Sequence, residues 1–281
     1  PVMVGGADTQ CALVGSGCVK PGEVGIVAGT TMPVQMITEE PIWDKKRRIW
    51  TGCHSSKNQW NIESNAGMAG FVYKWLKESA INGKSANFEG RKPEISYDEM
   101  RQMAEKAPLG SNNTLSFLGT EIMDINDVYT IRPGIFMFPP PSNPMVENPM
   151  DLGCMIRATL ENFCFAVKGN IEQISEISGI SPKQAFVTGG LSKNTFWTQM
   201  LADVLGVPIK VAKVREGAGL GLAAMTAVGA GVYKNLGEAV KSMVSYENDF
   251  LPNLQNTEEY KSIFETWREN YNKFGDMARN R

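Results

Sequence analysis

Metal-like cysteine spacing is absent from this chain, and histidine nearly so: His54 stands alone, and no C-x-x-C occurs among Cys11, Cys18, Cys53, Cys154 and Cys164. An odd, scattered set set mostly in apolar sequence excludes a disulfide framework or zinc knuckle, and reads as reduced core thiols of a cytoplasmic protein. Charge of one sign is lacking too. Twenty-eight basic residues against thirty acidic ones leave a net charge of −2, with no basic block able to track a phosphate backbone, so nucleic acid is excluded as a partner. No apolar run reaches the roughly 20 residues of a membrane span, which excludes a membrane partner for a helix. Repeats and low-complexity tracts are missing. No initiator methionine or leader precedes Pro1, so the chain is expected to be the carboxyl-terminal part of a longer protein.

What is present is an ordinary globular composition with apolar residues enough for a core. The opening run Val2-Met3-Val4-Gly5-Gly6-Ala7-Asp8-Thr9-Gln10 reads as a strand delivering an acid past a glycine pair. Small-residue spacing predicts a helix over 9–18, stopped by Lys20-Pro21-Gly22. Strands follow at 24–28, 33–37 and 48–53, set as an antiparallel meander. The spacing of Met68, Phe71, Val72, Trp75 and Leu76 predicts a helix over 65–78 that buries those residues on one face. An exposed connection spans 82–93, a short helix 97–107, and a buried strand lies within 135–138. A long core helix runs through Ile156, Leu160, Phe163, Val167, Ile171, Ile174 and Ile177. Then come a strand at 185–188, a Gly189-Gly190 turn, a helix at 195–205, a strand at 209–214 and a small-residue helix at 219–232. The end, 258–281, is expected to be an amphipathic helical tail packed on the surface. The alternation is α/β, with ligands expected at the carboxyl ends of the strands.

Three glycine turns carry the functional argument: Gly5-Gly6 before Asp8, Gly29-Thr30-Thr31 after a strand, and Gly189-Gly190 before a helix start. Glycine beside hydroxyls exposes backbone N–H groups and a hydroxyl donor, the usual equipment for phosphate oxygens. Any one of them is explained as a plain turn; three at strand ends are harder to dismiss. Asp8 is the acid of the set, with helix capping as its alternative, and Asn194 has the same alternative at the helix beginning at Thr195. Cys53 and His54 do not make a nucleophile pair, since neighbours on a strand point to opposite faces.

This pattern resembles the carboxyl-terminal domain of the FGGY carbohydrate kinases, of the ribonuclease H-like superfamily that includes actin and hexokinase. The resemblance rests on Gly5-Gly6-Ala7-Asp8-Thr9-Gln10 with Pro21-Gly22 and Gly29-Thr30-Thr31, and on Arg157-Ala158-Thr159-Leu160-Glu161. Its third anchor is Gly189-Gly190 with Trp197, Gln199, Ala202-Asp203, Gly206, Glu216 and Leu220-Gly221. Asn162, Leu191, Thr31 and Leu222 depart from the usual glycine, glycine, serine and alanine, and the last three imply a slightly reshaped adenosine pocket.

The resemblance implies a mixed sheet with flanking helices, and residues 1–281 as the nucleotide-binding domain of a two-domain kinase that phosphorylates a sugar hydroxyl with ATP and Mg²⁺. It implies Asp8 as the base, Asp8 and Gln10 at the sugar, Gly29 and Thr30 at the β- and γ-phosphates, and Gly189, Gly190 and Asn194 at the adenosine. It places the Mg²⁺-associated carboxylate and most sugar contacts in an amino-terminal domain outside this chain, which is therefore expected to be inactive alone. A small sugar and that domain are the expected partners; self-association as a homodimer is left open. The rival is an actin-like or regulatory ATP-binding module without sugar kinase activity.

Overall fold

The computed structural model describes residues 2–82, 94–127, 130, 132–140, 151–247 and 249–279. Strands Val24–Val27 (β1) and Pro33–Thr38 (β2) pair antiparallel. Trp50–Cys53 (β3) and Trp60–Asn65 (β4) form a second antiparallel pair. Leu115–Phe117 (β5) and Ile135–Met137 (β6) make a separate two-stranded sheet. Ala185–Thr188 (β7) and Ile209–Val211 (β8) complete a six-stranded mixed sheet in the order β3-β4-β2-β1-β7-β8, in which β1, β7 and β8 run parallel.

Helices cover both faces of that sheet. Asp8–Ser16 (α1) lies on one face. On the other are Ala69–Trp75 (α2, continued as a π-helical stretch Leu76–Ile81), Tyr97–Lys106 (α3), Leu152–Ser178 (α4) and Thr195–Leu205 (α5). Gly217–Gly229 (α6) and Leu236–Met243 (α7) join α1, and Leu254–Arg279 (α8) joins the α4 side. The strand alternation explains the sorting: Val24 and Ile26 of β1 and Ala185 and Val187 of β7 point into the α4 core, whereas Phe186 and Ile37 meet Leu13 and Cys18 on the α1 side. Close helix packing on the α1 face depends on glycine. A Cβ on Gly15 would stand 1.9 Å from the Gly217 carbonyl oxygen, and one on Gly221 would stand 1.9 Å from that of Cys11. Gly17, at φ 97°, ends α1 two residues earlier than 9–18 predicts.

Four expectations are corrected. Residues 2–7 form no strand; Val2 and Val4 are exposed, and no neighbouring strand takes their backbone groups among the described residues. The meander is interrupted, because β4 lies between β2 and β3. The register Pro33↔Asn65 to Thr38↔Trp60 is filled largely by polar residues that the hydrophobic pattern does not register. The face of α2 is turned from the expected one: Met68, Phe71 and Trp75 are exposed, while Leu76 is buried as expected, together with Ala69 and Tyr73. Lastly, the tail sits deeper than expected: α8 keeps a charged outer face, but its apolar face joins the main core. Tyr260, Phe264, Trp267 and Tyr271 are buried against Phe117 and Phe165, and the Trp267 indole donates to the Ser116 carbonyl and to Asn162 Oδ1. By contrast α3, β7 and α5 lie at or within one residue of the predicted bounds. Most of the connection expected over 82–93 lies outside the described residues.

Candidate active site

The parallel pair β1 and β7 ends side by side, so two of the glycine turns are stitched together. The Ala28 N–H donates to the Thr188 carbonyl (2.7 Å), and the Leu191 N–H to the Ala28 carbonyl (3.0 Å). Above them opens a cleft of about 800 Å³, lined by Ala28, Gly29 and Thr30, by Gly70, Tyr73 and Lys74 of α2, by Tyr97 and Arg101 of α3, and by Gly190, Leu191 and Asn194. This is the place where an α/β sheet presents ligands, at the carboxyl ends of its parallel strands.

The structure thus brings Gly29, Thr30, Gly190 and Asn194 together. Gly189 sits below the cleft as a turn, with φ 97° and a Cβ position 2.6 Å from the Ala28 carbonyl oxygen, so only glycine fits. Gly190 is different in kind: a Cβ there meets no atom within 4 Å and would point into open space. Asn194 caps α5 through Oδ1, which accepts from the Trp197 N–H (3.1 Å). Capping and lining are both its roles.

Asp8 and Gln10 occupy the first turn of α1, outside the lining of that cleft. Asp8 is exposed, and its Oδ1 accepts from the Thr9 N–H (2.8 Å). Gln10 Oε1 accepts from the Ala7 N–H (3.3 Å) and its Nε2 donates to the Cys53 carbonyl (2.9 Å), which ties the helix start to the end of β3. Beneath them the polar side chains of β2 and β4 form a cluster. Gln35 Nε2 donates to Glu63 Oε2 (2.6 Å), and the Asn61 amide lies 3.3 Å from Gln35 Oε1. Burial, with the Asp8 charge adding to it and the Gln35 hydrogen bond opposing, pushes Glu63 up to about 7.

Several residues of the site escape the sequence pattern. Gly70 is one: a Cβ there would stand 2.1 Å from the Gly29 carbonyl oxygen, so α2 presses directly on the Gly29-Thr30 turn. The Phe71 N–H also donates to the Thr30 carbonyl (3.3 Å). The small-residue run Ala66-Gly67-Met68-Ala69-Gly70 was the available signal, and the apolar spacing of the same helix obscured it. Lys74, Lys193 and Arg101 bring cations to the cleft, Arg101 being engaged by Asp98 (2.7 Å) and Glu105 (2.5 Å).

The Arg157 and Glu161 motif lies elsewhere and acts as a buried brace. Arg157 Nε donates to Glu161 Oε1 (2.9 Å), and Glu161 also accepts from the Gly110 N–H and the Ser111 hydroxyl. Burial pushes Glu161 up, against the pull of Arg157. His54 is buried; its Nδ1 accepts from the Ser56 N–H, and burial lowers it to about 4, so it is neutral near pH 7. Cys53 is exposed while His54 is buried, as alternation requires.

Residues 24–230 match the model of the FGGY family of carbohydrate kinases, C-terminal domain. The chain is 27% identical over 272 residues to an autoinducer-2 kinase of Klebsiella pneumoniae, covering 96% of this chain and 50% of that protein. It is 26% identical over 271 residues to one of Yersinia enterocolitica, with the same coverage. The chain spans about half the length of the curated relatives it matches. Among solved structures, a xylulose kinase from Rhodospirillum rubrum superposes with a TM-score of 0.78 at 20% identity, over 99% of this chain and 52% of that one. Plasmodium falciparum glycerol kinase with ADP superposes with a TM-score of 0.72 at 17% identity, over 94% and 50%. The fold is the ribonuclease H-like architecture of the actin and hexokinase type, a mixed sheet between two layers of helices.

Proposed function

The chain belongs to the FGGY family of carbohydrate kinases, as their C-terminal domain, and from that premise we propose that it is the nucleotide-holding half of an ATP-dependent kinase acting on a small sugar or sugar-like hydroxyl. One observation carries the reading. Three separate stretches of chain, Gly29-Thr30, Gly70 to Lys74 and Gly190 to Asn194, converge on one cleft whose floor leaves open space at Gly190.

The residues suit a nucleotide. Thr30 offers a hydroxyl and sits in a glycine turn able to present backbone N–H groups to phosphate oxygens, with Lys74 and Lys193 to balance their charge. Apolar and aromatic walls from Leu191, Tyr73 and Tyr97 suit a flat base. ATP supplies the phosphoryl group; Asp8 takes the proton from the acceptor hydroxyl, and Gln10 orients that acceptor while fastening α1 to β3. Among the described residues no group of three or more His, Cys, Asp or Glu side chains stands close enough to hold a metal. Mg²⁺ is therefore proposed to arrive with the nucleotide and to find its protein carboxylate in an amino-terminal domain. That domain also supplies the opposite wall of the cleft. No helix of the described residues is long and apolar enough to cross a membrane, and a cytoplasmic setting fits the substrate class.

Calorimetric titration of Mg-ATP into this chain, beside Gly190→Leu and Asn194→Ala, tests the reading. A Cβ at 190 meets no atom within 4 Å, so Gly190→Leu is expected to fold and to abolish binding. Equal binding by Gly190→Leu and the unaltered chain would overturn the placement of the nucleotide.

A further inference from the structure

Tyr73 lies on α2 between Gly70 and Lys74, and all three line the cleft. It is only 6% exposed. Its ring packs edge-on against Phe163 of α4 (centroids 6.4 Å apart, 84°) and is stacked with Tyr97 (5.5 Å, 23°). Yet its hydroxyl is buried and has no hydrogen-bond partner among the described residues. Such a donor is costly to leave unmatched, and phenylalanine would fill the same space without the cost. Burial, with Tyr97 adding to it, pushes the Tyr73 phenol above its ordinary range, so the hydroxyl keeps its proton and remains a donor.

Of the two rings packed against it, Tyr97 is the looser. Tyr97 is the first residue of α3 and is 45% exposed; beyond the stack with Tyr73, the Lys77 ammonium rests 4.6 Å from its ring centroid. Phe71, Leu191 and Tyr97 line the same cleft as Tyr73. They suit a flat, weakly polar ring, not a phosphate.

We propose that Tyr73 reads the base of the nucleotide: when Tyr97 turns aside, the Tyr73 hydroxyl is uncovered at the wall of the cleft and donates a hydrogen bond to a ring nitrogen of the base. This inference rests on the nucleotide reading above and adds the residue that selects for a base. Tyr73 is a specificity-determining residue; the phosphates are left to Gly29, Thr30 and the lysines.

The test compares Mg-ATP with Mg-tripolyphosphate, which carries the phosphates and no base, in the whole kinase containing this chain. Tyr73→Phe is expected to weaken ATP about five- to tenfold, the worth of one net hydrogen bond, through KM rather than kcat, and to leave tripolyphosphate unchanged. ATP affinity untouched by Tyr73→Phe, or weakened in step with tripolyphosphate, would overturn the base-reading role. If Gly190→Leu abolishes ATP binding while Tyr73→Phe is silent, this inference falls and the nucleotide reading stands. If the unaltered kinase holds no ATP, both fall.

Discussion

Asp8 starts α1 with one oxygen on the Thr9 backbone N–H, and no side chain among the described residues is hydrogen-bonded to it. Asparagine can keep that acceptor while losing the ability to take a proton. Asp8→Asn in the whole kinase is therefore expected to melt like the parent and to bind Mg-ATP equally, while sugar-dependent turnover falls by about 10²- to 10⁴-fold, the usual contribution of a positioned base; steady-state rates beside a thermal melt check it. Two other residues make a pH statement. His54 is lowered to about 4 by burial, so its contribution to stability is full above its ordinary pKa of 6.5 and is lost as pH falls towards 4. Glu63 is raised to about 7, chiefly by burial, so its contribution is full below its ordinary 4.5 and is lost as pH rises through 7. The two oppose each other between about pH 4.5 and 6.5. Glu63→Gln should remove one arm, and the stability of this variant relative to the parent should climb across pH 4.5 to 7 by up to about 1.4 kcal/mol per pH unit, read from urea midpoints. A flat difference would place Glu63 in water. Asp8, Thr30 and Gly190 are legible in the sequence because turn chemistry is local. Glu63 and Tyr73 are not, since their burial is made by Gln35, Phe163 and Tyr97, distant in the chain.

At the scale of elements, glycine governs how closely the pieces approach. Gly70 has a carbonyl where its Cβ would be, so Gly70→Ala must push α2 away from the Gly29-Thr30 turn. It should cost about 1–3 kcal/mol of stability, as overpacking does, and weaken Mg-ATP in the same titration that leaves Gly190→Ala near the parent. The α1 and α6 crossing at Gly15, Gly217 and Gly221 works likewise. Their composition marks both helices as small-residue helices in the sequence, although nothing local shows that they meet. Sequence reading succeeds where an element's pattern belongs to itself: β7 runs Ala185–Thr188, and α5 runs from its Asn194 cap to Gly206. It fails where a partner decides. The apolar stripe Met68, Phe71 and Trp75 is left exposed because α2 instead turns Ala69 and Tyr73 to the core. The charged face of α8 hides the row Tyr260, Phe264, Trp267 and Tyr271 that closes over α4.

On the proposed reading, the whole chain offers one wall of a site. Its sheet carries the turns at the ends of β1 and β7, and its first helix carries Asp8 and Gln10 outside the lining of the cleft beside them. The match to about half the length of the curated relatives leaves room for a second wall. The proposed kinase would need that wall for two reasons: phosphoryl transfer requires more stabilisation of charge than the Thr30 hydroxyl and the Lys74 and Lys193 ammonium groups would provide, and water must be excluded from the reacting phosphate. The isolated chain is therefore expected to bind Mg-ATP yet show no sugar-dependent ADP release, and the same chain joined to an amino-terminal kinase domain to show both. Joining should raise turnover in the presence of sugar much more than without it, because closure around the acceptor assembles the site. A coupled ADP assay on the two forms, with and without a panel of small sugars, measures this. Sugar phosphorylation by the isolated chain would mean that one wall suffices, and ATP-dependent association without any sugar turnover in the joined protein would favour an assembly module over a kinase.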